Sequence, residues 1–286
     1  MGGRVVILGP GLLGGSLALA LAQNGHSPVV WGRRQGPLDF LAEASTQIRV
    51  NPKLAAVIKG AEFLVLATPI GVMPTLLEQI AGLKTLAPDA VITDVGSVKG
   101  PIVQRATAIL KGTGYRFIGS HPMAGSEATG VEAARADLFE NAMCLITPTP
   151  ETHPEALSRT QNFWTRLNTR VHTLPPAEHD EIVAHISHMP HALASLMVGS
   201  ALRKNPTWAD YAGGGLHDTT RIASGDPDMW AEILLENRDP VLDALRQTQN
   251  RLQDLLKLLE SREIEPLRRF LLEAKELRDT HIAPKR

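Results

Sequence analysis

The segment RVVILGPGLLG, residues 4–14, decides how the amino-terminal part of the chain folds. Its first five residues form a run rich in β-branched and aliphatic side chains, which is typical of a strand buried on both faces of a parallel sheet. A GxGxxG turn follows, and the next residues have a helical pattern that ends at Gly25. A strand, a glycine-rich turn and a helix in this order predict a loop that binds the pyrophosphate of a dinucleotide through backbone N–H groups. The residues that we assign to this contact are Gly9, Gly11, Leu12, Leu13 and Gly14.

Five further apolar runs predict the rest of a sheet. They read SPVVWG, FLVLAT, AVITDV, RFIGS and AMCLI, and the last four follow at intervals long enough for crossover helices. Runs that are apolar throughout, rather than alternating, indicate strands covered by helices on both faces. The alternation of strands and helices therefore predicts an α/β fold with a Rossmann-like doubly wound sheet at the amino end.

The character of the sequence changes near Leu174. Of the 24 glycines, 19 precede this residue, and no strand pattern follows Pro176. Helical patterns instead occupy Ala177 to about Lys204, Met229–Glu236, about Val241 to Glu260, and Pro266–Leu277. We therefore predict a dinucleotide-binding domain over residues 1–174 and an all-helical domain over residues 175–286.

Leucines recur at steps of three and four residues in the third of these helices. They are Leu242, Leu245, Leu252, Leu255, Leu256 and Leu259. An apolar stripe of this length on a small helical domain favours packing against a second subunit. Packing within its own domain is the alternative.

Composition narrows the class of protein. Hydrophobic residues make up 43% of the chain and charged residues 21%, a balance typical of a soluble globular protein. The formal net charge of -1 gives no electrostatic footprint for nucleic acid or for an anionic membrane. Cys144 is the single cysteine, so an internal disulfide is excluded and a reducing compartment fits. The amino end has no signal-peptide pattern, and we expect a cytoplasmic protein.

The end of the second predicted strand selects between the two nicotinamide cofactors. It reads Trp31-Gly32-Arg33-Arg34, with no carboxylate in reach of a ribose diol. Two guanidinium groups can hold a 2′-phosphate through charge-assisted hydrogen bonds, whereas a carboxylate would repel it. We therefore expect NADP. If Arg33 and Arg34 are only solvated, the site accepts NAD as well.

Polar residues close three neighbouring strands, at the edge where an open α/β sheet binds ligands. Thr68 ends FLVLAT and Pro69 follows it, and Ser97 follows AVITDV, so all three are expected near the nicotinamide. His121 follows RFIGS between glycine- and proline-rich residues that restrict its position. Its ordinary pKa suits removal of a hydroxyl proton, with Ser97 holding either the imidazole or the substrate hydroxyl. A solvated surface histidine is the alternative.

Two motifs of the helical half carry further candidates. The segment AHISHMPH places His185, His188 and His191 within seven residues, but without the carboxylate pattern of a metal site, so we expect no metal. Three glycines, with Gly214 at their centre, precede a helix that carries Arg221. That guanidinium can hold a substrate carboxylate through two hydrogen bonds, and a structural salt bridge is the alternative.

Taken together, these motifs resemble the prephenate/arogenate dehydrogenase family over nearly the whole chain. The matching segments are GPGLLGGS, DVGSVK, GSHPMAGSE, ISHMPH and HDTTRIASGDPDMW. The resemblance implies an amino-terminal dinucleotide domain and a carboxy-terminal helical domain that forms a homodimer, with the active site between them. It also implies oxidative decarboxylation of prephenate or arogenate on the route to tyrosine.

The resemblance also implies roles for individual residues. His121 would accept the proton of the ring hydroxyl, and Ser97 would assist it. Arg221 would hold the ring carboxylate, His188 and Gly214 would lie at the substrate, and Glu127 would gate or polarise the site. The arginines after the second strand depart from NAD-using members and resemble arogenate-using ones, which favours arogenate over prephenate. Since the sequence stops at Arg286, we expect no appended tyrosine-sensing domain.

Two alternatives remain open on the residues alone. Another two-domain dehydrogenase, acting on β-hydroxyacids or imines, would share the glycine loop and a helical second domain. A nucleotide-sensing protein without chemistry would share the loop but would not need His121 and Arg221 to converge. Whether those side chains and Ser97 face one cavity distinguishes the readings.

Overall fold

The apolar run after Arg4 forms the first strand, and the other predicted runs form strands in the same sheet. The structure, a computed structural model, describes residues 3–125 and 128–282. Within those residues the sheet has eight strands: β1 (Val5–Leu8), β2 (Val29–Trp31), β3 (Arg49–Val50), β4 (Phe63–Leu66), β5 (Val91–Asp94), β6 (Arg116–Pro122), β7 (Met143–Thr147) and β8 (Arg170–Thr173). Their order is β3-β2-β1-β4-β5-β6-β7-β8, and only the β6–β7 pair is antiparallel among them. The predicted α/β fold is confirmed.

Helices cover both faces of this sheet. They are α1 (Leu12–Gln23), α2 (Gln35–Ala44), α3 (Leu54–Ile58), α4 (Met73–Leu83), α5 (Gly100–Ile109) and α6 (Pro154–Thr165). Alternate residues of β1 enter opposite cores, as the pleat of a strand requires. Val5 and Ile7 pack with α1, α2 and α6, whereas Val6 and Leu8 pack with α3, α4 and α5. A strand buried in this way must be apolar at every position, which is the pattern that the sequence shows.

Two strands have no counterpart in the predicted set, and one is longer than predicted. β3 has two residues and β8 is largely exposed, so neither produces a buried apolar run. β6 continues beyond Ser120 because residues 119–122 pair antiparallel with residues 144–147 of β7. His121 therefore lies within a strand, opposite Leu145, rather than in a loop after it.

Several helices follow β8, and the first two stand where the sequence predicted a single helix from Ala177 to about Lys204. They are α7 (Pro176–Val183), α8 (Met189–Leu202), α9 (Gly214–Thr220) and α10 (Pro227–Glu236). A π-helical turn, Ala184–His188, joins α7 to α8, and in it the N–H of Met189 donates to the carbonyl of Ala184. A π turn is a rare element that is frequent at functional sites. It lies in the histidine-rich segment.

The chain divides into two compact units, one ending at Arg238 and the other beginning at Asp239. Helices α7 to α10 thus belong to the unit that contains the sheet. The boundary that we predicted after Leu174 stays a prediction.

The second unit comprises most of α11 (Arg238–Ser261) and α12 (Ile264–His281). Its two helices contact each other through Arg251, which pairs with Glu273 at 2.8 Å and lies over the ring of Phe270 at 4.8 Å. Several leucines of the predicted stripe are exposed on α11. In the part of the chain that the structure describes, no helix is long and apolar enough to cross a membrane.

Candidate active site

The glycine-rich turn after β1 has the geometry of a dinucleotide loop. Gly9 adopts φ +116°, and a Cβ there would lie 2.4 Å from the carbonyl oxygen of Ala67. A Cβ on Gly14 would lie 1.9 Å from the carbonyl oxygen of Gly9, so both positions require glycine. At Gly11, the residue before α1, a Cβ would meet nothing within 4 Å. The backbone N–H groups at the start of α1, at Leu12 and Leu13, therefore have the open approach that a pyrophosphate needs.

The arginines predicted to select the cofactor follow β2. Arg33 and Arg34 are both exposed, and Arg34 immediately precedes α2. No carboxylate of residues 3–125 or 128–282 lies within salt-bridge distance of either guanidinium. Both charges thus remain available for a phosphate at the end of β2.

The strand-end residues lie at the same edge of the sheet as the glycine turn. A Cβ on Gly9 would come within 3.1 Å of Thr68 Cγ2, which places the end of β4 against the loop. Thr68 Oγ1 is buried and has no hydrogen-bond partner among the described residues. Pro69 is exposed, and Ser97 is half-buried after β5. The unpartnered hydroxyl of Thr68 suits a polar group of a bound nucleotide.

A buried ion pair joins the ends of β5 and β6. Asp94 is the last residue of β5, and its carboxylate contacts the ammonium of Lys99, with both side chains inaccessible to solvent. Lys99 Nζ also donates to Ser120 O at 3.0 Å, and Ser120 N donates to Asp94 Oδ1 at 3.1 Å. Because the buried charges have these further hydrogen bonds, the pair offsets its desolvation cost and fixes the backbone next to His121.

His121 is buried and hydrogen-bonded to a second histidine. Its Nδ1 lies 2.9 Å from Nε2 of His179, in the first half of α7, and the two rings meet edge to face. His179 Nδ1 lies 2.8 Å from Asp180 Oδ1. The Asp180 carboxylate accepts the N–H groups of Lys99 and Gly100, each at 2.7 Å. The side chain bonded to the His121 imidazole is therefore His179, a residue that the sequence analysis did not select.

Burial keeps these imidazoles uncharged at neutral pH. It lowers the pKa of His121 well below the usual value, and His179, the ammonium of Lys99 and His188 further disfavour the protonated form of His121. It also lowers the pKa of His188 to about 4, although the carboxylate of Asp180 opposes the shift. A neutral imidazole has a lone pair that can accept a proton, which general-base chemistry requires.

His188 ends the π turn and is buried, whereas His185 is only partly buried. Asn237 Nδ2 lies 3.0 Å from His188 Nδ1, and the same amide donates to Asp180 O at 2.8 Å. His188 Nε2 is buried and has no partner among the described residues. The structure thus brings His188 to the Asp180 network that also holds His121.

The indole of Trp230 joins the remaining histidine to this group. It stacks on His191 and meets the ring of His188 edge to face. The turn Arg221–Ser224 contacts α8, the helix that carries His191, and so lies beside this group. Arg221 itself is exposed at the start of this turn. Gly214, the first residue of α9, is also exposed.

The remaining predicted site residue, Glu127, lies outside the described residues. Among the residues that sequence reasoning missed, His179 and Asp180 are adjacent near the start of a helix, and Asn237 follows the end of α10. No spacing rule relates position 121 to 179 or position 188 to 237, because these contacts arise only when the helices pack on the sheet edge. The sequence offered one related signal, the carboxylate of Asp94 near the end of the apolar run AVITDV.

Comparison with known proteins identifies the family. Residues 17–173 match the model of the nucleotide-binding domain of prephenate dehydrogenase, and residues 175–273 match its dimerization domain. The chain belongs to the prephenate dehydrogenase family. Among relatives, the prephenate dehydrogenase of Bacillus subtilis is 35% identical over 285 residues, covering 96% of this chain and 75% of that protein.

Solved structures of the family have the same fold. The A. aeolicus prephenate dehydrogenase, in complex with hydroxyphenyl propionate and NAD+, has a TM-score of 0.87 and 29% identity over 98% of both chains. The arogenate dehydrogenase of Synechocystis has a TM-score of 0.82 and 29% identity, covering 97% of this chain and 99% of that one. The chain is thus an oxidoreductase of this family with a nucleotide-binding Rossmann-like domain.

Proposed function

We propose that this protein oxidises and decarboxylates a cyclohexadienyl acid, prephenate or arogenate, in the biosynthesis of tyrosine. The observation that carries the proposal is the buried, uncharged His121, held by His179 at the strand edge that also carries the glycine turn. A neutral base at the edge where the nucleotide binds suits removal of a hydroxyl proton. The family relationship supports the same chemistry.

The side chains have separate tasks in this reaction. His121 takes the proton of the ring hydroxyl as the carbon beneath it is oxidised. When bound, the nicotinamide supplies the hydride acceptor. Oxidation produces a dienone that draws electrons from the bond to the ring carboxylate, so carbon dioxide leaves and the ring becomes aromatic. Arg221 holds that carboxylate until it leaves, and Ser97 and His188 position the substrate, with Glu127 gating or polarising the site.

We further propose NADP as the preferred cofactor. Arg33 and Arg34 are exposed at the end of β2, and the described residues place no carboxylate against them. A 2′-phosphate would gain charge-assisted hydrogen bonds at this position, and the ribose diol of NAD would find no acceptor there. NAD remains the alternative cofactor, and the A. aeolicus relative was solved with it.

Arogenate is the substrate that we propose first. Its far end carries an ammonium where prephenate carries a keto group. Asp218 is an exposed carboxylate of α9, and its Oδ2 would lie 3.9 Å from a Cβ at Gly214. A carboxylate beside the glycine that we assign to the substrate favours an ammonium over a keto oxygen. The Synechocystis relative is an arogenate dehydrogenase.

The carboxy-terminal helices are proposed as the contact of a homodimer. Leu252, Leu256 and Leu259 are 50–56% exposed on α11. An exposed apolar stripe favours burial against an equivalent stripe of a second copy, and the family model for residues 175–273 is a dimerization domain. On this proposal residues 175–286 form the substrate and dimerisation domain and residues 1–174 the nucleotide domain. The free, buried Cys144 fits a reducing, cytoplasmic setting.

The test is a turnover assay of the purified protein with prephenate and arogenate, each paired with NAD and with NADP. Appearance of reduced cofactor with arogenate and NADP, above the other three pairs, supports the whole proposal. Faster turnover with NAD overturns the cofactor preference and leaves the chemistry intact. Faster turnover with prephenate overturns the substrate preference. No turnover in any pair, with the nucleotide still bound, contradicts the proposed reaction.

A further inference from the structure

Asp180 is the branch point of two hydrogen-bonded chains that end at different histidines. Its carboxylate binds His179, which binds His121. Its backbone carbonyl binds the amide of Asn237, which binds His188. Each link is between 2.8 and 3.0 Å long. Because every link needs one donor and one acceptor, the positions of the protons along both chains can be derived.

The carboxylate branch fixes the proton of His121. Asp180 accepts two backbone N–H groups, from Lys99 and Gly100, so its oxygens act as acceptors. The facing Nδ1 of His179 must then be the donor, and since burial lowers the pKa of His179, its Nε2 carries no proton. An unprotonated Nε2 accepts, so the proton in the link to His121 belongs to His121 Nδ1. The lone pair of His121 is therefore on Nε2.

The carbonyl branch fixes the proton of His188 in the opposite way. A backbone carbonyl only accepts, so the atom of Asn237 that faces Asp180 O is the NH₂ group. The same NH₂ group faces His188 Nδ1, which must accept its second hydrogen. Neutral His188 consequently carries its proton on Nε2. That Nε2–H is buried and has no partner among the described residues, although buried donors are almost always paired.

We propose that Asp180 sets opposite tautomers in two site histidines, leaving His121 Nε2 as the proton acceptor and His188 Nε2–H as a donor to the substrate. The chemical group that His188 would bind is an acceptor oxygen, of a carboxylate or a carbonyl. His179 and Asn237 are positioning residues, because each acts through the histidine that it orients. This inference rests on the proposed function for the identity of the ligand. The tautomers themselves do not depend on it.

The direct test is a ¹⁵N NMR spectrum of the full-length protein labelled at its histidine rings, recorded at neutral pH without substrate. The signals of the two histidines are assigned from their loss in the His121→Asn and His188→Asn variants. We expect a protonated Nδ1 in His121 and a protonated Nε2 in His188. A proton on the same nitrogen in both rings, or a mixture of tautomers in either, overturns the proposal.

Two pairs of variants separate the branches. His179→Asn keeps a donor toward Asp180 but has no atom that reaches His121, whereas His179→Gln can place its amide oxygen where Nε2 was. We expect mixed tautomers of His121 in the first variant and a single one in the second, with His188 unchanged in both. Asn237→Leu should give mixed tautomers of His188 and leave the tautomer of His121 unchanged. If His179→Asn alters both rings equally, the two branches are not independent and the proposal fails.

Kinetics provides a second readout with the substrate that the wild-type protein turns over. His179→Asn should lower kcat about tenfold or more with little change in KM, and His179→Gln should recover most of that loss. Asn237→Leu should instead raise KM about tenfold, the effect of losing one well-placed hydrogen bond. Equal losses in the two His179 variants would argue for a purely structural role. Failure of turnover in the wild type would contradict the proposed reaction, whereas the tautomers would still be measurable.

Discussion

The indole of Trp230 stacks on the imidazole of His191, with ring centroids 3.6 Å apart and planes inclined by 9°. The same indole meets His188 edge to face at 6.1 Å. One side chain of α10 therefore contacts two histidines of α8 and of the π turn before it. A Cβ on Gly225 would lie 2.4 Å from Trp230 Nε1, so the chain approaches the ring closely from a third side. Trp230 thus determines how α10 packs beside the site.

Replacing this ring should affect both stability and substrate binding. We expect Trp230→Leu to lower the free energy of unfolding by about 1 kcal/mol more than the loss of buried area alone, because two aromatic contacts disappear. It should also raise KM by releasing His188. Urea denaturation and steady-state kinetics measure the two effects. Trp208→Leu is the control, since Trp208 is 47% exposed, and an equal effect there would contradict the prediction.

Removal of the proposed base should abolish most turnover without loss of the fold. We expect His121→Asn to lower kcat by about 10²–10⁴-fold, the usual contribution of a general base. The dissociation constant of the nucleotide should stay unchanged, because the glycine turn is intact. His172→Asn, on the exposed strand β8, is the matched control. A kcat within a factor of a few of the wild type would exclude His121 as the base.

The buried histidines predict that stability falls as the pH falls. Burial lowers the pKa of His188 to about 4, whereas the unfolded chain has the ordinary value of 6.5, so the unfolded state binds more protons between these limits. The stabilisation is complete above pH 6.5 and is lost as the pH falls toward 4, at up to about 1.4 kcal/mol per pH unit for each such histidine. His121 acts in the same direction.

Urea denaturation at a series of pH values between 7.5 and 4.5 measures this slope. The His188→Gln variant should show a shallower dependence than the wild type, while His153→Gln, an exposed substitution, should not. Parallel curves for the wild type and His188→Gln would show that His188 titrates normally in the folded protein.

Replacing the two arginines at the end of β2 should weaken the binding of NADP but not of NAD. We expect Arg33→Ala combined with Arg34→Ala to raise the KM for NADP about tenfold or more, because charge-assisted hydrogen bonds are lost. The KM for NAD should hardly change, since its ribose diol makes no use of a guanidinium. Lys111→Ala removes one positive charge elsewhere and serves as the control. Equal increases for both cofactors would contradict a role in phosphate recognition.

Replacing Gly11 should lower the affinity for the nucleotide without lowering the stability of the fold. A Cβ there would meet no protein atom within 4 Å, so Gly11→Ala should leave the melting temperature near that of the wild type. The added methyl group would nevertheless stand where the pyrophosphate approaches the backbone, and nucleotide affinity should fall at least tenfold. Calorimetric titration measures the affinity. Gly36→Ala, in the open on α2, should leave binding unchanged and stabilise the fold by about 0.5–1 kcal/mol.

The sheet was predictable because its central strands are buried on both faces. Burial on both faces requires largely apolar runs, and these occur at Val5–Leu8, Phe63–Leu66 and Val91–Asp94. The edge strand Arg170–Thr173 was not predictable, because an exposed strand is held by its ladder to β7 rather than by apolar side chains. The extension of β6 to Pro122 also depends on a partner strand distant in sequence.

The site was predictable only where local sequence carries the chemistry. The glycine turn and His121 can be recognised from the residues next to them in the sequence. His179, Asp180 and Asn237 do not, since their importance comes from contacts across 57 or 58 positions of the chain. Their hydrogen-bond partners become visible only when α7 and α10 are placed against the sheet edge. The contact of Arg221 with the substrate carboxylate stays a prediction, and the side chain is exposed at the start of its turn.

The π turn at Ala184–His188 makes the length of this segment as important as its composition. Met189 reaches back five residues instead of four, so the turn holds one residue more than a regular helix would. Deleting a single residue there would let α7 continue into α8 as one regular helix and would change the face of the helix on which the residues of the turn, among them His188, lie. His188 would then lose its edge-to-face contact with the indole of Trp230. A deletion that leaves every other side chain intact would therefore disable the site, whereas many substitutions in the same segment would not.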